Sequence, residues 1–343
     1  MIKFKLLKNV NNPNSIHGIY PYRGKISAID AEQVIKQLPK KSVLLDPFCG
    51  SGTIVYEAQK YGLKAIGVDL NPLAIDIARG KIYLAKKDDV IEDAKRIIEK
   101  SKLLKKVNKM PLEASRHFHD STAEEIMRIS AFSNEMSDYL RASFYGAIAL
   151  TARACNWYKW TSSSVGKDMN PKQRIDFYEK FLQKVKKHFH PTDENGSKIF
   201  LYDSRKLSKK IKPNSVDYVF TSPPYFDCLD YTSYYGKIIY SILRSDRLEI
   251  KQTLIQNIST YKEDMRIVLK ELYKVCKKGS TIIFVVGDKK IHGKVVNGAE
   301  FFKEISPFKK CKVIERSYAG SSSQVFDKLN STDRKEQIII WNK

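Results

Sequence analysis

Ser42-Val43-Leu44-Leu45-Asp46-Pro47-Phe48-Cys49-Gly50-Ser51-Gly52-Thr53 is the stretch on which the fold of this chain turns. Val43 to Leu45 has the short apolar run of a buried strand, and Asp46 to Thr53 forms a loop that opens a helix. That helix carries Ile54, Val55 and Ala58 on one face and stops at Gly62. Ala65-Ile66-Gly67-Val68 follows as a second strand and ends in Asp69. Strand, glycine loop, helix, strand is one βαβ unit, so the spacing predicts a parallel, doubly wound α/β sheet.

The loop has the chemistry of a ligand site. Gly50 and Gly52 let backbone approach a bound molecule, and the helix N-terminus presents free N–H groups. At the end of the second strand, Asp69 can accept hydrogen bonds from both ribose hydroxyls of an adenosine-type cofactor. The pattern is not the Gly-x-Gly-x-x-Gly dinucleotide fingerprint, and a tight structural turn is the plain alternative.

Working outward, the character changes after Asn71. Lys81 to Lys109 is lysine-rich and reads as helix, as do Glu135 to Asn156 and Pro171 to Phe189, with no convincing strand among them. Alternating α/β then resumes with a strand at Lys198 to Tyr202, ending at Asp203, and another at Val216 to Phe220. A helix from about Tyr261 to Cys276 precedes the strand Thr281 to Val286. Lys312 to Arg316 and Gln337 to Trp341 are the last two strands, joined by a polar stretch, Ser317 to Glu336, expected to be a long loop. The expected architecture is thus a Rossmann-like core over residues 1–75 and 197–343, interrupted by a mostly helical insertion over 76–196.

The Val216 strand ends in Thr221-Ser222-Pro223-Pro224-Tyr225. Two prolines at a central strand end are unusual, because proline cannot donate to the ladder. They fix the backbone so that carbonyls and the Ser222 hydroxyl face the crevice above the sheet. Tyr225 adds a flat face on which a planar base can stack. A rigid strand-terminating turn is the alternative reading.

Taken together, Asp46 to Thr53 and Thr221 to Tyr225 resemble the cofactor loop and the catalytic Ser/Asp/Asn-Pro-Pro-Tyr motif of the DNA amino-methyltransferases. His17-Gly18-Ile19-Tyr20-Pro21-Tyr22-Arg23-Gly24-Lys25 is loosely similar to that family's leading cofactor motif. The resemblance covers roughly residues 15–75 and 198–343. It implies S-adenosylmethionine as cofactor, with Tyr22, Asp46, Phe48, Gly50, Gly52 and Thr53 around its methionine and sugar parts. It further implies Asp69 on the ribose, Asp203 facing the adenine amino group, and a catalytic loop of Ser222, Pro223, Pro224 and Tyr225. There Ser222 and the Pro223 carbonyl accept hydrogen bonds from the target amine while Tyr225 stacks on the base. Double-stranded DNA, a cognate restriction endonuclease and the prokaryotic cytoplasm are the implied partners and setting. Serine before the prolines points to cytosine N4, whereas Asp or Asn is commoner among the adenine-N6 enzymes.

Rivals are weighed on the same residues. A tRNA guanine-N2 enzyme also uses a Pro-Pro-Tyr loop, but usually with Asp in place of Ser222 and with an appended RNA-binding domain, for which the N-terminal stretch is too short. A cofactor-binding regulator with a decayed site fits poorly with an intact Ser222 to Tyr225. Methylation at cytosine C5 needs a cysteine nucleophile, which that family carries in a Pro-Cys dipeptide, and none occurs here.

Composition sets the remaining bounds. With 42% hydrophobic and 29% charged residues, this is an ordinary globular chain. Sixty-one Lys and Arg against 38 Asp and Glu give a net charge of +23, which attracts a polyanion. Met1 to Lys5 lacks the apolar core of a signal peptide, and no apolar run is long enough to span a bilayer, so no membrane partner is expected. The five scattered cysteines form no Cys-x-x-Cys pair, and the triplets His117 to His119 and His188 to His190 lack acidic or thiol partners, so no metal is expected. For DNA contact, Trp157, Lys159, Trp160 and Lys167 interleave aromatic and basic groups beside Ser162 to Ser164. Anchoring a helix end in the core is the competing role for the two tryptophans.

Overall fold

Leu44 and Leu45 are both fully buried, although neighbouring residues of a strand face opposite ways, so the strand they occupy has helices on both sides. In the computed structural model, which describes residues 15–22, 26–158, 173–224, 230–291, 294–319 and 333–343, that strand is β1 (Val43–Asp46). It follows α1 (Ala28–Ile35) and leads through the glycine loop into α2 (Thr53–Lys60), β2 (Lys64–Asp69) and α3 (Pro72–Lys81). The helical stretch comprises α4 (Lys87–Lys102), α5 (Leu112–Ser115), α6 (Asp120–Ser130), α7 (Asp138–Cys155) and α8 (Phe177–His188). The sheet resumes with β3 (Lys198–Leu201) and β4 (Val216–Thr221), followed by α9 (Tyr235–Ile242), α10 (Arg247–Thr253) and α11 (Tyr261–Val275). Next come β5 (Cys276–Gly287), a small hairpin of β6 (Lys289–Ile291) and β7 (Lys294–Val296), α12 (Gly298–Ile305), β8 (Lys310–Ala319) and β9 (Asp333–Asn342).

Seven strands form one sheet in the order β3-β2-β1-β4-β5-β9-β8. The first five run parallel, and β9 and β8 close the edge antiparallel. Alternation along the strands feeds two cores. Leu45, Val219, Ile282 and Ile339 pack with α11 and α12, while Leu44, Phe220, Ile283 and Ile338 pack with α1 and α2. The sheet is therefore doubly wound, as the βαβ unit predicts.

A third core joins α4, α6, α7 and α8 to Ile16, Ile19, Tyr20, Leu73, Ile77 and α9. Small residues allow this layer to lie close. A Cβ on Gly80 of α3 would stand 2.5 Å from the Ala142 Cβ of α7, and one on Gly146 would stand 1.7 Å from the Ile19 carbonyl oxygen. The helices after β2 thus share apolar surface with the segment before β1, and α3 itself runs through the expected boundary at residue 75.

Three local expectations change. The helix expected over 81–109 shrinks to α4: α3 ends at Lys81, and α4 runs only from Lys87 to Lys102. Its buried stripe of Val90, Ala94, Ile97 and Ile98 runs out there, and the following segment packs against the same core through Val107 and Met110 outside any helix. The helix placed at Pro171 begins instead at Phe177, where Asp176 accepts from the Glu179 N–H at 2.9 Å. The polar stretch Ser317 to Glu336 is partly ladder, since Ser317, Tyr318 and Ala319 pair with Lys335, Arg334 and Asp333. At these described ends polarity goes with pairing on the edge strand β8 and not with a loss of backbone pairing.

Candidate active site and cofactor cleft

The strand order reverses between β1 and β4, and open α/β sheets bind ligands outside the carboxyl ends of strands at such a point. Both sequence motifs converge here. Thr221, the last residue of β4, donates from its hydroxyl to Asp46 Oδ1 at 2.6 Å, and the Phe48 N–H donates to the same oxygen at 3.2 Å. Asp46 is only 2% exposed, and burial pushes its carboxyl up to about 7. Its hydrogen bonds tie the loop after β1 to the end of β4.

Asp69 closes the loop from the other side. The Gly50 N–H donates to Asp69 Oδ2 at 2.8 Å and the Asn71 N–H to Oδ1 at 2.9 Å. Burial raises the Asp69 carboxyl above the ordinary carboxylate range. An ionised carboxylate has about four acceptor positions, so two backbone bonds leave capacity for a ligand hydroxyl. Asp69 lines a cleft with Tyr22, Phe48, Gly50, Asn71, Ser204, Ser222, Pro224 and Tyr231. A contiguous recess adds Asp46, Cys49, Ser51 and Thr53.

The two glycines divide their work. Gly50 has φ +47°, and a Cβ there would stand 3.3 Å from Tyr22 Cε1, so its bareness lets the tyrosine ring lie against the loop. Gly52 has φ +73°, but its missing Cβ leaves room for Ala78 of α3, 2.7 Å away, and it is not among the cleft-lining residues. Thr53 opens α2, and its hydroxyl is buried without a hydrogen-bond partner at the recess floor.

Asp203 follows β3. It caps the turn after β3 by accepting from the Arg205 N–H at 2.9 Å, and it pairs with the Arg205 guanidinium, which also reaches Asp264 at 2.9 Å. The neighbouring Ser204 lines the cleft instead. Within the proline motif, Ser222 and Pro224 line the cleft, Pro223 is buried, and the Tyr261 hydroxyl of α11 holds the Pro224 carbonyl at 2.5 Å. Tyr225 lies outside the described residues, as do Lys159, Trp160 and Lys167. Trp157 is 57% exposed at the turn ending α7, with φ 54°. It does not anchor a core.

Sequence reasoning missed Asn71. It caps α3, donates to the Tyr231 carbonyl at 3.2 Å and accepts from the Tyr240 hydroxyl at 2.5 Å. Asn71-Pro72, following Leu70 after Asp69, is a helix-start signal that was available. A tyrosine-rich cavity, lined by Tyr20, Tyr22, Tyr231, Tyr234 and Tyr235, adjoins the cleft, and nothing in local periodicity announced it. His117 and His188 are buried, with burial holding both imidazoles down at about 4, and His188 Nδ1 donates to the Ser15 carbonyl at 2.7 Å. Among the described residues no group of three or more His, Cys, Asp or Glu is disposed to hold a metal, and no helix is long and apolar enough to cross a membrane.

The cleft suits an adenosylated amino acid: an acceptor at Asp69, aromatic walls at Tyr22 and Phe48, and an unpartnered Thr53 hydroxyl below. The sequence model of D12 class N6 adenine-specific DNA methyltransferases matches residues 29–285, which hold both motifs and all the helices between them. The chain belongs to that D12 class family. As in the family, S-adenosylmethionine is the cofactor. Among relatives of this D12 class chain, the type II methyltransferase M.MjaII of Methanocaldococcus jannaschii is 33% identical over 82 residues, 24% of this chain and 16% of that protein. M.BsoBI of Geobacillus stearothermophilus is 20% identical across 97% of this chain and 86% of its own length. A SAM-dependent methyltransferase from Archaeoglobus fulgidus has a solved structure that covers 92% of each chain at 10% identity, with a TM-score of 0.38.

Proposed function

We propose that this D12 class protein transfers a methyl group to an exocyclic amino group of a base in double-stranded DNA, and that the base is cytosine, modified at N4. The observation that carries the reading is the placement of Ser222 and Pro224 in the same cleft as Asp69, Tyr22 and Phe48. The family description and the type II names of the relatives support DNA as substrate and a restriction-modification setting with a cognate endonuclease in a prokaryotic cytoplasm.

S-adenosylmethionine brings an electrophilic sulfonium methyl; the protein supplies position and electrostatics. An amine conjugated to a pyrimidine is a poor nucleophile because its lone pair is delocalised. The Ser222 hydroxyl and the Pro223 carbonyl accept the amine's two N–H bonds out of the ring plane, which favours a pyramidal nitrogen and frees the lone pair. Tyr225 stacks on the base once it leaves the helix, a step costing a few kcal/mol. Asp69 holds the ribose. The rigid proline backbone, braced by Tyr261, means that little reorganisation is needed during transfer. Helices over residues 76–196 read the target sequence; Trp157 is exposed for contact, and Lys159, Trp160 and Lys167 are the further DNA-contacting residues of the proposal.

A second reading, adenine N6, is favoured by the description of the matched family. A purified chain given radiolabelled S-adenosylmethionine tests the substrate class. Label should enter double-stranded DNA and not RNA, and Ser222→Ala should abolish transfer while leaving cofactor binding intact. Incorporation into RNA alone would overturn the proposal.

A further inference from the structure

Lys81 ends α3 with its side chain inside the protein, 2% exposed, directly behind the cofactor loop. Its Nζ lies 3.4 Å from Ser51 Oγ and 3.4 Å from His17 Nδ1. His17 Nε2 in turn lies 2.8 Å from Glu57 Oε1, and Lys60 reaches the other Glu57 oxygen at 3.3 Å. Ser51, His17 and Glu57 are each at most 5% exposed.

The chemistry of the groups orders this chain of contacts. An ammonium donates and never accepts, so Ser51 Oγ and His17 Nδ1 both accept from Lys81. His17 is then the neutral tautomer whose Nε2–H donates to the Glu57 carboxylate. Ser51, accepting from a cation, has its own O–H polarised and available to donate elsewhere, and Ser51 lines the recess. Beside it stands the Thr53 hydroxyl, 3% exposed and without a partner, at the N-terminus of the eight-residue α2. Two hydroxyl donors, a helix N-terminus and a buried cation behind them favour an anion. Asp46 lines the same recess and favours a cation. The recess is therefore dipolar and fits a zwitterionic amino-acid group.

We propose that Lys81 is a positioning residue for the cofactor: acting through Ser51, it makes the recess recognise the carboxylate of the cofactor's amino-acid portion. The inference rests on the cofactor occupying this cleft. Lys81 touches no reacting atom; it fixes which way the Ser51 hydroxyl donates.

The test compares two ligands by isothermal titration: S-adenosylhomocysteine, which carries the amino-acid group, and 5′-methylthioadenosine, which shares the adenosine and lacks it. Lys81→Met and Ser51→Ala should each weaken S-adenosylhomocysteine about tenfold or more, the scale of a hydrogen bond to a charged group. Both should leave 5′-methylthioadenosine within about twofold. Equal weakening of the two ligands, or none for either, would overturn the role given to Lys81. Should Lys81→Met fail to fold, the contrast is read from Ser51→Ala, which removes only a hydroxyl. If the wild-type chain bound neither ligand, the placement of the cofactor in this cleft would fail instead.

Discussion

Thr221 and Asp46 stand 175 positions apart in the chain, yet the Thr221 hydroxyl donates to the Asp46 carboxylate at 2.6 Å. This bond joins the ends of β1 and β4 at the point where the strand order reverses. It holds the loop of Gly50 to Thr53 and the loop of Ser222 to Pro224 together at one cleft.

The Asp46 carboxyl gives the fold a pH signature. It stands at about 7 in the folded chain against an ordinary 3.8, with burial the dominant cause. A folded value above the unfolded one means that folding favours the protonated form. The stabilisation is full below the ordinary value and is lost as pH rises through about 7. Asp46→Asn keeps the acceptor for Thr221 and cannot ionise, so the stability gap between wild type and variant should shift between pH 4 and 7. The expected shift is on the order of 3 kcal/mol, in favour of the variant at the higher pH. Urea titrations of the two proteins at several pH values check this, and parallel curves would contradict it.

Asp69→Ala should weaken S-adenosylhomocysteine by roughly 10- to 100-fold, because it removes the ribose acceptor and frees the Gly50 N–H. Calorimetric titration of a variant that still melts cooperatively provides the measurement. Unchanged affinity would remove Asp69 from the cofactor site.

Gly52→Ala tests packing apart from binding. The added methyl meets Ala78 in a left-handed backbone position, so a loss of about 1–3 kcal/mol is expected. Thermal melts decide it, and an unchanged melting temperature would mean that α3 can move away freely.

Much of this was legible in the sequence, and the reason is burial. The central strands β1, β4 and β5 contain short apolar runs, because a strand covered on both faces needs apolar side chains in both directions, whereas the edge strand β8 carries polar residues along much of its length. The glycine loop and the proline motif were visible because their chemistry is local. What escaped depended on distant partners. Lys81 reads as the first residue of a lysine-rich helix, yet it is buried, with Ser51 and His17 accepting its N–H bonds. The Asp203 cap and its ion pair with Arg205, two residues on, were announced by no local pattern. The cavity of Tyr20, Tyr22, Tyr231, Tyr234 and Tyr235 is assembled from two segments that only the fold brings together.

DNA binding should be steeply salt-dependent, falling by orders of magnitude between low and physiological salt as phosphate counterions cease to be released favourably. Because Trp157 is exposed, Trp157→Ala should weaken DNA binding with little change in melting temperature or cofactor affinity. Fluorescence anisotropy with a labelled duplex gives the first quantity and a thermal melt the second. A collapse of stability would return Trp157 to a packing role.

The identity of the methylated nucleoside tests the central claim most directly. DNA modified by the purified chain is digested to nucleosides and analysed by mass spectrometry beside a Ser222→Ala control. The account predicts N4-methyldeoxycytidine, absent from the control. N6-methyldeoxyadenosine in its place would contradict the base assignment, and methyl groups recovered only from RNA would contradict the account as a whole.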